Sequence, residues 1–288
     1  MDRRKFMQGL GALAGTTLMA GQNLEANTSS YAAYKKIKFG YAAITWGGND
    51  LQAIKDISEL GFKGIQFRVS IFNAYKQRPQ ELRDLLAQYK LEFVALSSGS
   101  PSLDQNKREE EINRQIEHAK FMRDAGGHYL QLTDAARPKT GNPEHDDYRK
   151  LGTLLSEIGK RVADFGIQVG YHNHMGGLGE RAEEVDQILE ASDPQYVKLE
   201  LDSAHYLQGG GDPAAAVRKY KDRLLFLHIK DVENVTAGTE SADNKRAYRF
   251  VELGRGRLNF PEFFKALAEV KFKGWGIVEL DSVPDKSR

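Results

Sequence analysis

Leu154-Leu155-Ser156-Glu157-Ile158-Gly159-Lys160-Arg161-Val162-Ala163-Asp164-Phe165-Gly166-Ile167-Gln168-Val169-Gly170-Tyr171-His172 shows the repeating unit of this chain. Leu154, Leu155, Ile158 and Val162 recur at the three- and four-residue spacing of one helix face. Gly166 ends that helix, because glycine accepts the left-handed conformation that closes a last turn. A short apolar run, Ile167–His172, follows at once and reads as a buried strand. Similar runs stand at Ile37–Thr45, Gly64–Val69, Phe93–Ser97, Tyr129–Thr133, Val197–Asp202, Leu224–Lys230 and Trp275–Leu280. Helical patterns lie between them, at Leu51–Leu60, Pro79–Tyr89, Lys107–Ala125, Asp147–Phe165, Ala182–Ala191, Pro213–Lys221 and Phe260–Val270. Eight strands alternating with helices over about 250 residues predict a single closed (β/α)8 TIM barrel spanning 36–288. An open doubly wound sheet would carry a glycine-rich phosphate loop after its first strand, and Ala43–Asp50 has none. Eight residues follow Leu280, so a full eighth helix is predicted to be missing.

Composition narrows the functional classes. The 288 residues are 40% hydrophobic and 28% charged, a globular balance. With 41 basic against 40 acidic residues there is no cationic excess to favour nucleic acid or an anionic membrane. The absence of cysteine excludes disulfides, thiolate ligands and a cysteine nucleophile. At the N-terminus, Arg3-Arg4-Lys5 precedes a short, glycine-rich apolar stretch that runs to Ala20. This reads as a twin-arginine export signal with linker over residues 1–30, cleaved between Met19 and Ala26. The stretch is too short to serve as a stable membrane anchor, so the expected location is periplasmic. Homo-oligomerisation is left open.

Catalytic groups in such a barrel sit where strands end. The fifth strand ends in His172 with His174 beyond it, and the sixth ends in Asp202 with His205. The seventh brings His228, Lys230 and Asp231, and the eighth brings Glu279 and Asp281. Four consecutive strand ends rich in imidazole and carboxylate predict a divalent metal: Mn, Zn, Co or Fe, with Mg less favoured beside two histidines. Such an ion acts as a Lewis acid on a sugar carbonyl whose neighbouring C–H is removed.

The segments Val169–His174, Leu199–His205, Leu227–Asp231, Leu253–Phe260 and Val278–Asp281 together resemble the sugar phosphate isomerase/epimerase family, which has a xylose isomerase-like TIM barrel. The resemblance spans residues 37 to about 281 and implies metal ligands His172, Asp202, His228 and Glu279, with Glu279 also catalytic. Two positions depart from the family's pattern. His172 stands where its epimerases place the second carboxylate of their acid/base pair, and Tyr171-His172-Asn173-His174-Met175 is more similar to the inosose dehydratase branch. Gln66 stands where many relatives carry Glu; it remains a candidate substrate contact.

Other residues keep two readings each. His205, matching the family's Asp-x-x-His, either contacts a substrate oxygen or supports a ligand. His174 is a substrate contact, an acid/base or a support. Lys230 is an acid/base or oxygen clamp, its pKa depressed by a nearby cation, or else a salt-bridge partner of Asp231 or Glu279. Asp231 is placed beside substrate with Lys230. Trp46 either stacks on a sugar ring or packs the barrel mouth. Gly254 and Gly256 either admit substrate or form a tight turn. Glu200 reads as an exterior residue, His118 and His145 as surface groups, and Val232–Arg249 as a loop at the active-site mouth.

The implied activity is a divalent-metal carbohydrate isomerase or epimerase acting by deprotonation next to a metal-bound carbonyl. A dehydratase or keto-sugar lyase sharing that first step is the alternative. A non-catalytic sugar-binding barrel would be expected to have a damaged ligand set. A barrel endonuclease would need more metal ligands and a basic face. The lack of a phosphate loop or basic cluster favours an unphosphorylated sugar as the small-molecule partner.

Overall fold

The computed structural model describes residues 36–235 and 247–281. The segment read as an export signal, its expected cleavage region, the centre of the Val232–Arg249 segment and residues beyond Asp281 lie outside the described residues. Ten strands are described: β1 Lys38–Ala42, β2 Gly64–Arg68, β3 Glu92–Ser97, β4 Tyr129–Thr133, β5 Gln168–His172, β6 Val197–Asp202, β7 Leu224–Ile229, β8 Asp231–Asn234, β9 Tyr248–Val251 and β10 Trp275–Val278. Strands β1–β7 and β10 close a parallel barrel in the order β1-β10-β7-β6-β5-β4-β3-β2. Around it lie α1 Asp50–Glu59, α2 Val69–Tyr75, α3 Pro79–Gln88, α4 Arg108–Ala125, α5 His145–Ala163, α6 Ala182–Glu190, α7 Ser203–Gln208, α8 Pro213–Lys219 and α9 Phe260–Glu269. Among the described residues no helix follows β10. None of the described helices is long and apolar enough to cross a membrane.

Strand alternation sorts the side chains. On β6, Val197, Leu199 and Leu201 join the outer core with Leu155 and Ile158 of α5 and Ile188 of α6. Glu200 and Asp202 therefore share the opposite, inward face, because residues two apart point the same way. Inside the barrel an apolar plug of Val94, Ala95, Phe226, Trp275 and Ile277 fills the floor. Gly64 makes room for it: a Cβ there would stand 2.4 Å from Val94 Cγ2 and 2.5 Å from Trp275 Cζ3.

Three expectations change here. The Val232–Arg249 segment is not simply irregular, since β8 and β9 pair antiparallel with Val232 opposite Phe250. The short helices α2 and α7 lack the long apolar period by which the other helices are legible. His118 is buried rather than superficial, its Nδ1 2.6 Å from Ser98 Oγ and its ring 4.5 Å from that of Phe72. His145, the first residue of α5, is exposed as expected.

Burial, with Arg114 nearby, lowers the His118 pKa to about 4. The unfolded chain binds this proton below about pH 6.5 and the folded chain only near pH 4. The associated stability is thus present above pH 6.5 and lost as pH falls from there to 4, by at most about 3 kcal/mol. His118→Asn should flatten that part of the pH–stability curve measured by urea denaturation at several pH values.

Candidate metal centre at the strand ends

Register brings the polar groups together. Asp202 on β6 lies opposite His228 on β7, and His172 on β5 lies opposite Glu200 on β6. Glu279 directly follows β10, which pairs with β7. Asn173 ties two strand ends, accepting from Asp202 N at 3.0 Å and donating to Asp202 O at 3.4 Å. The Asp-x-x-His spacing has a local cause. Asp202 caps α7, its Oδ1 accepting from His205 N at 2.8 Å, so His205 stands one turn further on and Oδ2 is left for the barrel centre.

His228 is the hub. Its Nε2 donates to Gln66 Oε1 at 2.9 Å, and Gln66 is held in turn by Gln131 at 3.1 Å. That bond turns Nδ1 toward Asp202 Oδ2 at 3.6 Å and Glu279 Oε2 at 3.5 Å. His228 Nδ1 and Asp202 Oδ2 are buried without a hydrogen-bond partner. Ligand atoms of His172, Asp202 and His228 all lie within 4.8 Å of one another. Convergent, buried, unpartnered donors of imidazole and carboxylate type fit a divalent cation. Burial lowers the His228 pKa, but Glu200, Glu279 and Asp202 reverse this and raise it well above the ordinary value. A field that favours a proton there favours a cation equally.

The family model of the xylose isomerase-like TIM barrel matches residues 54–287. The chain belongs to the xylose isomerase-like TIM barrel family. Within it, an inosose dehydratase of Lacticaseibacillus casei is 27% identical over 278 residues, covering 87% of this chain and 92% of that protein. The crystal structure of IOLI protein with a binding zinc atom superposes with TM-score 0.71 at 16% identity, covering 85% of this chain and 90% of that one. A probable 3-DHS dehydratase from Bacillus anthracis superposes with the same score at 16% identity, covering 85% and 93%. The two solved structures share the barrel fold with this chain, and the inosose dehydratase is similar to it in sequence.

Next to the candidate ligands in this family member, His172, His174 and His205 form a second convergence of ring nitrogens within 4.8 Å. The rings of His174 and His205 have centroids 3.9 Å apart. Met175 orders both: its N–H donates to His205 Nδ1 at 3.2 Å, and its carbonyl lies 2.7 Å from His174 Nδ1. Burial lowers the pKa of His172 and of His205 well below the ordinary value. Lys230 Nζ reaches Glu279 Oε1 at 2.9 Å and Asp281 Oδ1 at 2.7 Å, with Phe250 of β9 beneath it at 3.9 Å. Burial opposes its charge, yet Glu279, Asp202 and Asp281 outweigh that and raise its pKa, so Lys230 is an ammonium group. Burial raises the Glu279 pKa, whereas His228 and Lys230 bring it down to about 2.

Several expectations need correction. Trp46 turns away from the mouth: its Nε1 donates to Asp56 of α1 at 2.8 Å and its ring meets Tyr41 of the outer core. Asp231 has no oxygen to spare for substrate. Oδ1 accepts from Val232 N and Leu258 N, and Oδ2 from Gly254 N and Gly256 N, all within 3.0 Å. Those bonds account for the Gly254-Arg255-Gly256 turn, where a Cβ on Gly256 would stand 2.3 Å from Asp231 Oδ1. Gln66, buried against His228, positions that ring instead of meeting substrate. Glu200 is interior, with Oε1 2.7 Å from His228 Nε2. The protein's own carboxylates raise the Lys230 pKa, and the depression expected of a bound cation would act against them.

Sequence reading also passed over Asp134, just beyond β4. It accepts from Tyr171 Oη at 2.5 Å and from His174 N at 2.8 Å, and so shapes the loop that carries His174. Phe250 was masked by its place in a polar segment. Asp231→Ala should cost about 2–4 kcal/mol in urea denaturation, because four backbone N–H groups, two of them buried, lose their acceptor, while metal stoichiometry stays unchanged. A mere substrate contact would raise KM and leave stability within about 0.5 kcal/mol.

Proposed function

We propose that the chain is a divalent-metal-dependent carbohydrate lyase of dehydratase type, removing a proton beside a keto group and expelling the oxygen on the next carbon. One observation carries this reading. Glu279 is paired with an ammonium, Lys230, at 2.9 Å, which Asp281 also holds at 2.7 Å, while the β5 and α7 sides of the site present histidines. His172, Asp202, His228 and Glu279 would hold a divalent cation, which would supply Lewis-acid polarisation of the substrate carbonyl. Glu279 Oε1 accepts the α-proton, and Lys230 Nζ, held by Glu279 and Asp281, donates to the oxygen on which charge develops. His205 Nε2, buried and unpartnered, offers substrate a further contact. His174 delivers a proton to the departing oxygen, so the products are an unsaturated ketone and water or an alcohol. The likeness to inosose dehydratases over 87% of the chain supports a keto-cyclitol or keto-sugar substrate.

The isomerase or epimerase outcome shares the first step and returns the proton to carbon. Two-carboxylate epimerisation calls for an acid opposite Glu279, where this chain has His172. The observation favouring a proton return is His174 itself, half-buried, with Nδ1 on the Met175 carbonyl and Nε2 left for substrate. Incubation of metal-loaded enzyme with keto-inositol, 3-keto-glycosides and ketoses in D2O separates the two. Enone and released alcohol are expected, with Glu279→Gln and Lys230→Met each slower by about 10²–10⁴. Deuterium uptake at carbon without elimination would overturn the lyase reading.

Residues 1–30 are read as a twin-arginine signal that exports the folded enzyme to the periplasm, on the strength of Arg3-Arg4 and the apolar stretch to Ala20. Changing both arginines to lysine should retain the precursor in the cytoplasmic fraction. Unchanged periplasmic recovery would contradict that location signal.

A further inference from the structure

Glu200 is fully buried on the inward face of β6, two residues before Asp202. Its Oε1 stands 2.7 Å from His228 Nε2 and its Oε2 3.8 Å from His172 Nδ1. Neither oxygen makes a hydrogen bond of good angle to any described group. The nearest ammonium, Lys230, is engaged by Glu279 and Asp281. A carboxylate buried in this way costs several kcal/mol unless positive charge compensates it. What Glu200 faces are the rings of two candidate cation ligands, and on His228 it faces the nitrogen turned away from Asp202 and Glu279. The hydrogen bond from that nitrogen goes to neutral Gln66, so Gln66 sets its direction and Glu200 adds the charge.

We propose that Glu200 is the positioning carboxylate of the metal centre: beside Gln66 it favours His228 with Nε2–H turned to it and Nδ1 toward the cation, and it sets a negative charge against His228 and His172. The inference rests on the metal-centre reading above. Carboxylates behind a histidine ligand strengthen its donor nitrogen and orient the ring, and their loss typically weakens metal binding 10–100-fold. The position of Glu200 also explains why β6 carries two acidic residues on one face above an apolar plug. Asp202 offers Oδ2 to the cation, and Glu200 supports the ligands from below.

The test compares wild type, Glu200→Gln and Glu200→Asp as full-length proteins stripped of metal. Zinc and cobalt affinities are measured by chelator competition, the cobalt visible spectrum is recorded, and thermal unfolding is followed without metal. One ion per wild-type chain is expected. Glu200→Gln should bind about 10–100-fold more weakly with an altered cobalt spectrum, and Glu200→Asp should fall between. The metal-free melting temperature should change little beside the loss of affinity, because Gln keeps the size of the side chain and its polar end. Wild-type affinity in both variants would overturn the role of Glu200 alone. A lowered metal-free melting temperature with unaltered affinity would assign Glu200 to structure and overturn it too. Absence of metal binding by wild type would overturn the metal-centre reading itself.

Discussion

Everything at the mouth of this barrel depends on gathering carboxyl groups within a few ångströms of one another where water is excluded. Glu200, Asp202 and Glu279 all surround His228, and two of them are wholly buried. Like charges in a medium of low dielectric repel strongly, and each has lost its hydration. Lys230 compensates part of this from one side, resting on Phe250 and bridging Glu279 to Asp281. The remaining imbalance is centred between His228 Nδ1, Asp202 Oδ2 and Glu279 Oε2. A divalent cation fits there as counter-charge, and its Lewis acidity would serve the proposed chemistry.

The barrel makes that concentration tolerable by dividing its interior. Val94, Phe226, Trp275 and Ile277 pack the floor without polar atoms to satisfy, apart from the indole N–H. Above them Gln66 and Gln131 give a neutral polar layer, and only then do the charged residues begin. Loops at the rim are fixed by buried acids that do not touch the centre. Asp134 gathers Tyr171 Oη and His174 N, and Asp231 gathers four N–H groups around the Gly254–Leu258 turn. Rigid walls suit a reaction in which a proton is removed at one defined carbon.

The barrel was legible because helix and strand periods are local. The helical patterns at Pro79–Tyr89 and Ala182–Ala191 differ from the observed α3 and α6 by a single residue at one end. The candidate ligands were legible because His172, Asp202 and His228 fall at the ends of consecutive strands. Glu200 could have been placed correctly from the same alternation, since it is two residues from Asp202. Trp46 and Asp231 were not legible: adjacency to a strand end says nothing about which neighbour takes the indole or the carboxylate.

By itself the amino-acid sequence determined the eight-fold alternation, the helix boundaries and the set of imidazole and carboxylate groups at four strand ends. Those follow from spacing along the chain and from rules that act over a few residues. Only the tertiary structure decided which atoms meet. Barrel closure brings β10 beside β7, so Glu279 comes to His228 from 51 residues away and Gln66 from 162. The reason is physical. The tautomer of His228, the charge of Lys230 and the burial of Glu200 depend on distances between elements remote in sequence, and electrostatic and hydrogen-bond energies are functions of those distances alone.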